Sequence, residues 1–474
     1  PLTASLQALG GQQVAVDSNI AVVVANRTIQ SLNLSELTVR LNDIEINGSI
    51  EASNSLSFIE GNLQTNSFSL VQQLQWVAEI LPIVSVPEMA DPAALTDVSI
   101  ESNFTLDTVA VSDINNLIML DGQAIQVDLK IDQPRNKLTT IVSADVIKAS
   151  NYLPKSGSSA DNSGLFAPLA IPFALWQGQS QVEMTIGSVQ LNDFAVDNVY
   201  SNVFGNNSVL RLTSLNADLF GGQINATGRL DMRSAIPEFE LQNSLTDIDL
   251  ELALPAIADN SDLSGLLSLE VEMQGSGNSS EEIISALSGT GDLTVLNPTY
   301  LAINAEETFC NAAALFGGSP TNTAWSKGTE LETLTSQFSL ENGKVLIRDL
   351  KTATGNLSIS GRGTVQLLLK RYSVTANTRV NASTTSASGC SVNTSLRNRN
   401  LPFICTGSYD ADGKTNCKPD DSLVRDFLKG SIFQQLGGQL FDTPVTNKDS
   451  SEQEEQQTDP LKNLLKGVLE RKLK

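Results

Sequence analysis

No histidine occurs anywhere in this chain. Its absence removes the commonest general base at neutral pH, the usual nitrogen ligand for zinc and copper, and every Ser-His-Asp or Cys-His mechanism. Carboxylates alone can still catalyse, but the composition points away from an enzyme. Aromatic residues make up only 5%, which argues against a carbohydrate cleft lined with stacking platforms. Basic residues are outnumbered, 30 against 53 acidic ones, for a formal net charge of −23. Broad attraction to nucleic acid needs Lys and Arg clusters, so the acidity reads as a solubilising outer face. No apolar run reaches the eighteen or so residues that cross a bilayer. The longest, Leu165 to Trp176, is short and carries Pro168 and Pro172. No signal peptide is visible, and Pro1 opens inside a strand-like stretch. The expectation is a fragment whose N-terminal targeting segment is missing.

Cysteine is scarce and clustered: Cys310, Cys390, Cys405 and Cys417 all lie in the C-terminal third. None of their spacings is of the CxxC type that a zinc site wants. An even number in one region suggests disulfides made in an oxidising compartment. Four cysteines permit three pairings. Cys405 and Cys417 flank a turn-rich loop that a local bridge would close, which leaves Cys310 with Cys390. No metal and no cofactor is expected.

What the chain does have is a repeat. A strand–turn–strand block occurs as SELTVRLNDIEINGSIEA (Ser35 to Ala52), SLNADLFGGQINATGRLDM (Ser214 to Met232) and IRDLKTATGNLSISGRGTV (Ile347 to Val365). A polar or glycine pair splits each copy: Asn42-Asp43, Gly221-Gly222, Thr354-Gly355. Six residues past Asn42, Gly222 and Gly355 stand Gly48, Gly228 and Gly361. Alternation of period two sends apolar side chains to one sheet face and polar ones to the other. A single hairpin cannot bury its own apolar face, so copies must stack. The first two copies lie 180 residues apart (224 − 44), which suggests an internal duplication.

The predicted fold is mainly β: an elongated, repeated antiparallel sheet curled into a hydrophobic groove, with a few short capping helices. Residues 1–152 form an N-terminal β module with one helix, Phe68 to Leu81, stopped by Pro82. A linker follows at 153–164, then a β-groove module at 165–420. Within it, a short apolar amphipathic segment is expected at Ile248 to Ile257, and short helices at Ser280 to Gly289, with Ser280 as cap, and at Ala305 to Gly318. A helical cap spans 421–447, including Ser422 to Leu440, and a charged linker spans 448–460. The last segment, 461–474, is an amphipathic basic helix that could lie on a membrane surface.

Glycine pairs such as Gly275/Gly277, Gly289/Gly291 and Gly361/Gly363 resemble phosphate loops only superficially, because no third glycine or Lys-Ser/Thr pair follows. They read as strand-end and bulge glycines. Asp410 to Gly413 hints at a calcium loop, but no glutamate closes it at the needed spacing, so it reads as a plain turn. What remains is the apolar face. A sandwich would close it against a second sheet. Left open, it is a trough lined by Val182, Met184, Ile186, Leu267, Leu269, Val271, Met273, Val345, Ile347, Leu357 and Ile359. Each methylene taken out of water contributes about 0.8 kcal/mol, so such a trough could shield acyl chains without any catalytic residue. A structural or adhesive β-solenoid with a closed, dry interior is the rival reading. A carboxylate-only polysaccharide enzyme is a third, already disfavoured by the few aromatics.

Residues 165–420 resemble the C-terminal region of the AsmA family of Gram-negative envelope proteins. The resemblance is carried in order by VEMTIGSVQLNDFAVDNVYSNV, VLRLTSLNADLFGGQINATGRLD, LSGTGDLTVLNPTYLAINAEETFCNAAALFGG, LTSQFSLENGKVLIRDLKTATGNLSISGRGTVQL and LPFICTGSYDADGKTNCKPD. It implies a periplasmic protein held in the inner membrane by an N-terminal helix that lies outside this sequence. It further implies kinship with bridge-like lipid-transfer proteins that include TamB, and a role in moving phospholipid or supporting outer-membrane assembly. The implied partners are phospholipid acyl chains, the implied anchor precedes residue 1, and no catalytic residues carry over.

Overall fold

In the computed structural model, residues 2–7, 13–80, 89, 91–153, 178–258, 262–302, 304–314, 325, 327–355, 357–380, 400–408 and 416–420 are described. Several expected features lie outside them: most of the 153–164 linker, Leu165 to Trp176, Cys390, the Asp410 to Gly413 turn, and everything from residue 421 onward.

The described chain is one large, open, mostly antiparallel sheet. Its first half comprises β1 (Leu2–Gln7), β2 (Gln13–Ala25), β3 (Thr28–Leu41), β4 (Ile44–Ser53), β5 (Phe58–Thr65), β6 (Val98–Asp107), β7 (Val111–Leu120), β8 (Gln123–Asp132) and β9 (Lys137–Lys148). Next come β10 (Gln179–Leu191), β11 (Phe194–Asn206), β12 (Val209–Leu219), β13 (Gly222–Asp231), β14 (Glu238–Asp249), β15 (Leu263–Ser276) and β16 (Ser288–Tyr300). The series ends with the two-residue β17 (Thr329–Glu330), then β18 (Leu334–Glu341), β19 (Lys344–Ala353), β20 (Leu357–Gln366), β21 (Arg371–Val380), β22 (Leu401–Ser408) and β23 (Asn416–Pro419). Each strand pairs antiparallel with the one before it, with two departures. Strand β10 lies parallel to β9, and β17 only touches the end of β16, which continues to β18. Edges β1 and β23 do not pair with each other.

Turn chemistry explains the meander. Asn26-Arg27, Asp121-Gly122, Asn207-Ser208, Phe220-Gly221 and Asn342-Gly343 all have positive φ at both positions. That is the backbone of two-residue hairpins whose twist matches the strands they join. In the second repeat the corner is therefore Phe220-Gly221 and not Gly221-Gly222; Gly222 already begins β13. The three repeat glycines share one environment. At Gly48, Gly228 and Gly361 the carbonyl of the next strand (Asn62, Glu240 and Thr375) stands no more than 3.0 Å from where a Cβ would be. Each copy also bulges nearby, at Leu34/Leu37, Leu212/Leu215 and Ile347/Leu350. A bulge with a glycine opposite or close by bends and tightens the local twist.

Helices occupy the rims. Helices α1 (Leu70–Ile80), α2 (Leu250–Ala258) and α4 (Ala305–Ala314) lie in connections at one end of the strands; α3 (Ser280–Ala286) lies at the other. The cap of α3 is Ser279, not Ser280: Ser279 is extended, and its side chain accepts the Glu282 amide. Helix α2 turns Leu250 and Ala253 inward beside the buried Ile248. Packing is otherwise thin. Among the described residues, the largest fully buried side chains are a leucine and a proline, Leu357 and Pro298. Stability in such an array comes from neighbour-to-neighbour burial along the sheet, as in repeat proteins.

Candidate functional site

Residues opposite one another in a ladder point to the same face, so the register can be followed from strand to strand. One row begins at Ile20 and runs through Leu34, Ile50, Gly61, Phe104, Ile114 and Leu129 to Thr140 in β9. The parallel step carries it to Val182, then Val203, Leu212, Gly228, Leu241, Met273 and Gly289. It finishes with Leu340, Val345, Val365, Tyr372 and Gly407. These are twenty residues on successive strands from β2 to β22, and not one is charged. At ~4.8 Å per strand the row measures on the order of 90 Å along the sheet.

A second row lies beside it and contains Val142, Met184, Leu215, Ala226, Val271, Phe338, Ile347, Val374 and Cys405. It too is free of charge, but it carries Ser102, Asn116, Ser201 and Asn243. The Asn116 amide is satisfied by the Val127 carbonyl at 3.0 Å. Asn243 Oδ1 is buried on this face without a hydrogen-bond donor. A third row contains Ile186, Leu245, Leu269, Leu293 and Leu350.

All eleven residues expected to line a trough sit on this one face. Val182, Met273 and Val345 belong to the first row, Met184, Val271 and Ile347 to the second, Ile186 and Leu269 to the third. Leu267 stands opposite Val295, and Ile359 opposite Thr378. Ile186, Val271 and Leu357 are buried, Leu357 most deeply; the other eight are half-buried. Periodicity also marked residues that were not singled out, among them Leu34, Phe104 and Leu129 in the first half and Leu212, Leu241 and Leu340 in the second.

The face is kept low by a recurring device. Phe104 lies over Gly61, Phe239 over Gly275, Phe338 over Gly291 and Tyr372 over Gly407, each pair being direct cross-strand partners. In each, ring atoms come within 3.0 Å of the point a Cβ would occupy. A ring lying flat on a glycine fills the gap left by the missing side chain without standing above the floor. Gly291, Gly361 and Gly363 are interior strand glycines, Gly291 covered by the Phe338 ring and the other two closed upon by residues 373–376 of β21, whereas Gly275 and Gly289 each lie one residue inside an end of their strand, as expected.

The opposite face is largely polar and charged, with Leu117, Ile141, Phe204 and Leu266 exposed among its polar neighbours. Arg233 and Arg229 clamp the Asp231 carboxylate, and the Arg233 hydrogen bonds hold it well below the usual carboxylate range. Arg348 pairs with Glu341 at 3.1 Å. At the C-terminal end, Cys405 and Cys417 are cross-strand neighbours joined by a disulfide, which staples β22 to β23. Cys310, buried in α4, is also disulfide-bonded. Among the described residues no group of His, Cys, Asp or Glu could hold a metal ion, and no helix is long and apolar enough to cross a membrane. Chemically, the arrangement offers a continuous surface for hydrocarbon.

The AsmA family model matches residues 25–350. The match takes in most of the N-terminal half as well as the second repeat, and ends before Cys390. Protein AsmA of Escherichia coli (strain K12) is 23% identical over 160 residues, 34% of this chain and 26% of that protein. The aligned stretch thus spans about a quarter of that relative's length. No solved structure matches.

Proposed function

The chain belongs to the AsmA family, and from that premise we propose that it binds phospholipid in the bacterial envelope, shielding acyl chains on its apolar sheet face. The observation that supports this reading is the first row: twenty strands crossed without a charged side chain. A lipid with two long tails cannot leave a bilayer unescorted, since each methylene exposed to water costs about 0.8 kcal/mol. A surface that stays apolar from strand to strand lowers that barrier at every step and needs no reactive group. In this reading the chain works in the periplasm, a segment preceding residue 1 anchors it to the inner membrane, and its cargo serves outer-membrane assembly. The basic segment 461–474 would add a membrane contact.

Native mass spectrometry of the purified chain tests the proposal. Phospholipid is expected to co-purify. Leu269→Asp, which sets a charge among Leu245, Leu293 and the tails, is expected to lower occupancy at least about tenfold, the effect of ~1.4 kcal/mol, while the circular dichroism spectrum stays unchanged. Lipid-free protein from several preparations would favour a scaffold without cargo.

A further inference from the structure

One turn of the sheet is built from residues that turns do not favour. Corners at the same rim are polar, among them Asn26-Arg27, Asn207-Ser208 and Asn342-Gly343, the residue types that tight turns select. Between β20 and β21 the chain instead turns through Leu367, Leu368, Leu369 and Lys370. Leu368 and Leu369 are exposed by 46% and 61%. The turn is not loose. The Leu367 amide donates to the Gly343 carbonyl at 3.0 Å, and the Lys370 amide to the Leu367 carbonyl at 3.4 Å. Lys370 takes a positive φ to close the loop, and its carbonyl accepts the Ser408 hydroxyl at 2.6 Å. Fastened to the β18–β19 corner on one side and to β22 on the other, the turn holds two adjacent leucines out in water. Exposed apolar residues in other turns at this rim have acids close by. The Asp107 carboxylate accepts the Val109 amide at 2.9 Å, and Ile236 stands two residues before Glu238.

Charge singles out the same place. Residues 350–409, bounded by Asp349 and Asp410, are the longest stretch of the chain without an acid, 60 residues against 22 for the next, 308–329. The chain as a whole has one acid in about nine residues (53 of 474), and this stretch carries seven bases instead. Three adjacent strands, β20, β21 and β22, lie wholly inside it. Lys344, Gln366 and Arg371 are successive cross-strand partners, so Lys344 and Arg371 flank the base of the turn that contains Lys370. All three cations are exposed, and none has an ion pair among the described residues. Glu341, opposite Lys344, is held by Arg348 at 3.1 Å.

We infer that this turn is a docking element for an anionic phospholipid bilayer, with Leu368 and Leu369 entering the boundary between headgroups and acyl chains while Lys344, Lys370 and Arg371 meet phosphate. Two leucines at a turn offer far less than the ~800 Å² a side that a stable protein interface buries. A bilayer sets no such minimum. An anionic surface repels a chain of net charge −23, so contact has to be made where acid is missing. Basic side chains beside the membrane then add an attraction that falls off within a Debye length. The backbone of the turn suits shallow entry. The amides and carbonyls of Leu367 and Lys370 are all hydrogen-bonded. Only Leu368 and Leu369 bring further backbone groups, which hydrocarbon does not tolerate unpaired. Entry therefore stops at interfacial depth, ~5–10 Å.

This inference stands on the turn and its charge, independently of cargo on the apolar face. Hydrogen exchange of the full chain with and without vesicles of phosphatidylethanolamine and phosphatidylglycerol tests it. Amides of residues 367–371 should exchange about tenfold more slowly on vesicles, a gain of ~1.4 kcal/mol in local protection. The double variant Leu368→Ser, Leu369→Ser changes only exposed side chains; it should abolish this protection without lowering the melting temperature. Lys370→Glu combined with Arg371→Glu should weaken the protection, most at low salt. Leu269→Asp should retain it, so that loss of cargo and loss of docking are read separately. Vesicle binding that protects other segments, 461–474 included, but not 367–371 would overturn the proposal, as would no binding to the vesicles at all. So would protection of the turn that appears on raising protein concentration without vesicles, the mark of a second copy.

Discussion

Phe338 and Gly291 show how single residues shape the apolar face. The Phe338 ring occupies the space above Gly291, and the Glu270 carbonyl stands 2.7 Å from where a Cβ would be. Any side chain at residue 291 must push the ring up or the backbone away. Gly291→Val is expected to destabilise the chain by about 1–3 kcal/mol, the usual range for overpacking, read as a lower urea midpoint. Gly355 provides the contrast, since nothing lies within 4 Å of its would-be Cβ. Gly355→Ala should shift stability by less than about 0.5 kcal/mol. Equal effects at the two glycines would show that the ring–glycine pairing carries no structural weight. Sequence alone could not separate them, because the distinction rests on which residue the next strand sets opposite.

Between elements, one polar cluster ties three connections together at one rim. Asp121, in the β7–β8 turn, accepts the backbone amides of Leu95, Thr96 and Asp97 from the loop between α1 and β6. It also accepts the Tyr152 hydroxyl at 3.1 Å, from the short helix after β9, while Gln123 donates to that hydroxyl at 2.6 Å. Burial, then the bond to Asp121 and its charge, push the Tyr152 phenol up to about 12. A phenol raised above its unfolded value near 10 stabilises the fold fully below that pH, and the contribution is lost as pH rises toward 12. The melting temperature of the wild type should therefore fall more steeply between pH 10 and 12 than that of Tyr152→Phe. Parallel curves would mean the lock contributes nothing.

At this scale much was legible in advance. Period-two alternation and Asn, Asp and Gly corners marked the hairpins, and α1 and α4 begin within two residues of their expected starts. The corner at Phe220-Gly221 and the cap at Ser279 each slipped by one residue, because neighbouring residues offered similar turn or cap chemistry. The parallel step from β9 to β10 had no signature at all. Parallel pairing follows from where the crossover lands, not from the residues of either strand.

For the whole chain, the argument turns on continuity. That the eleven trough residues share a face was readable from alternation, but that their rows join across β9 and β10 into the N-terminal half was not. Once joined, the face offers two ways of working that differ in measurable terms. A bridge moves lipid along the row, so any interruption stops it; a shuttle holds lipid at one place and tolerates changes elsewhere. Leu129 in β8 and Leu241 in β14 are half-buried members of the first row, separated by β9 to β13. Leu129→Asp and Leu241→Asp each place a charge whose transfer into an apolar phase is strongly unfavourable. For a bridge, either variant alone should cut transfer between donor and acceptor vesicles by at least about tenfold, equivalent to ~1.4 kcal/mol on the barrier. Most bound lipid should remain, because the uninterrupted stretches on either side still hold it. If one variant transfers at the wild-type rate while the other is inactive, lipid does not travel the row, and the face is a local binding site on a long scaffold.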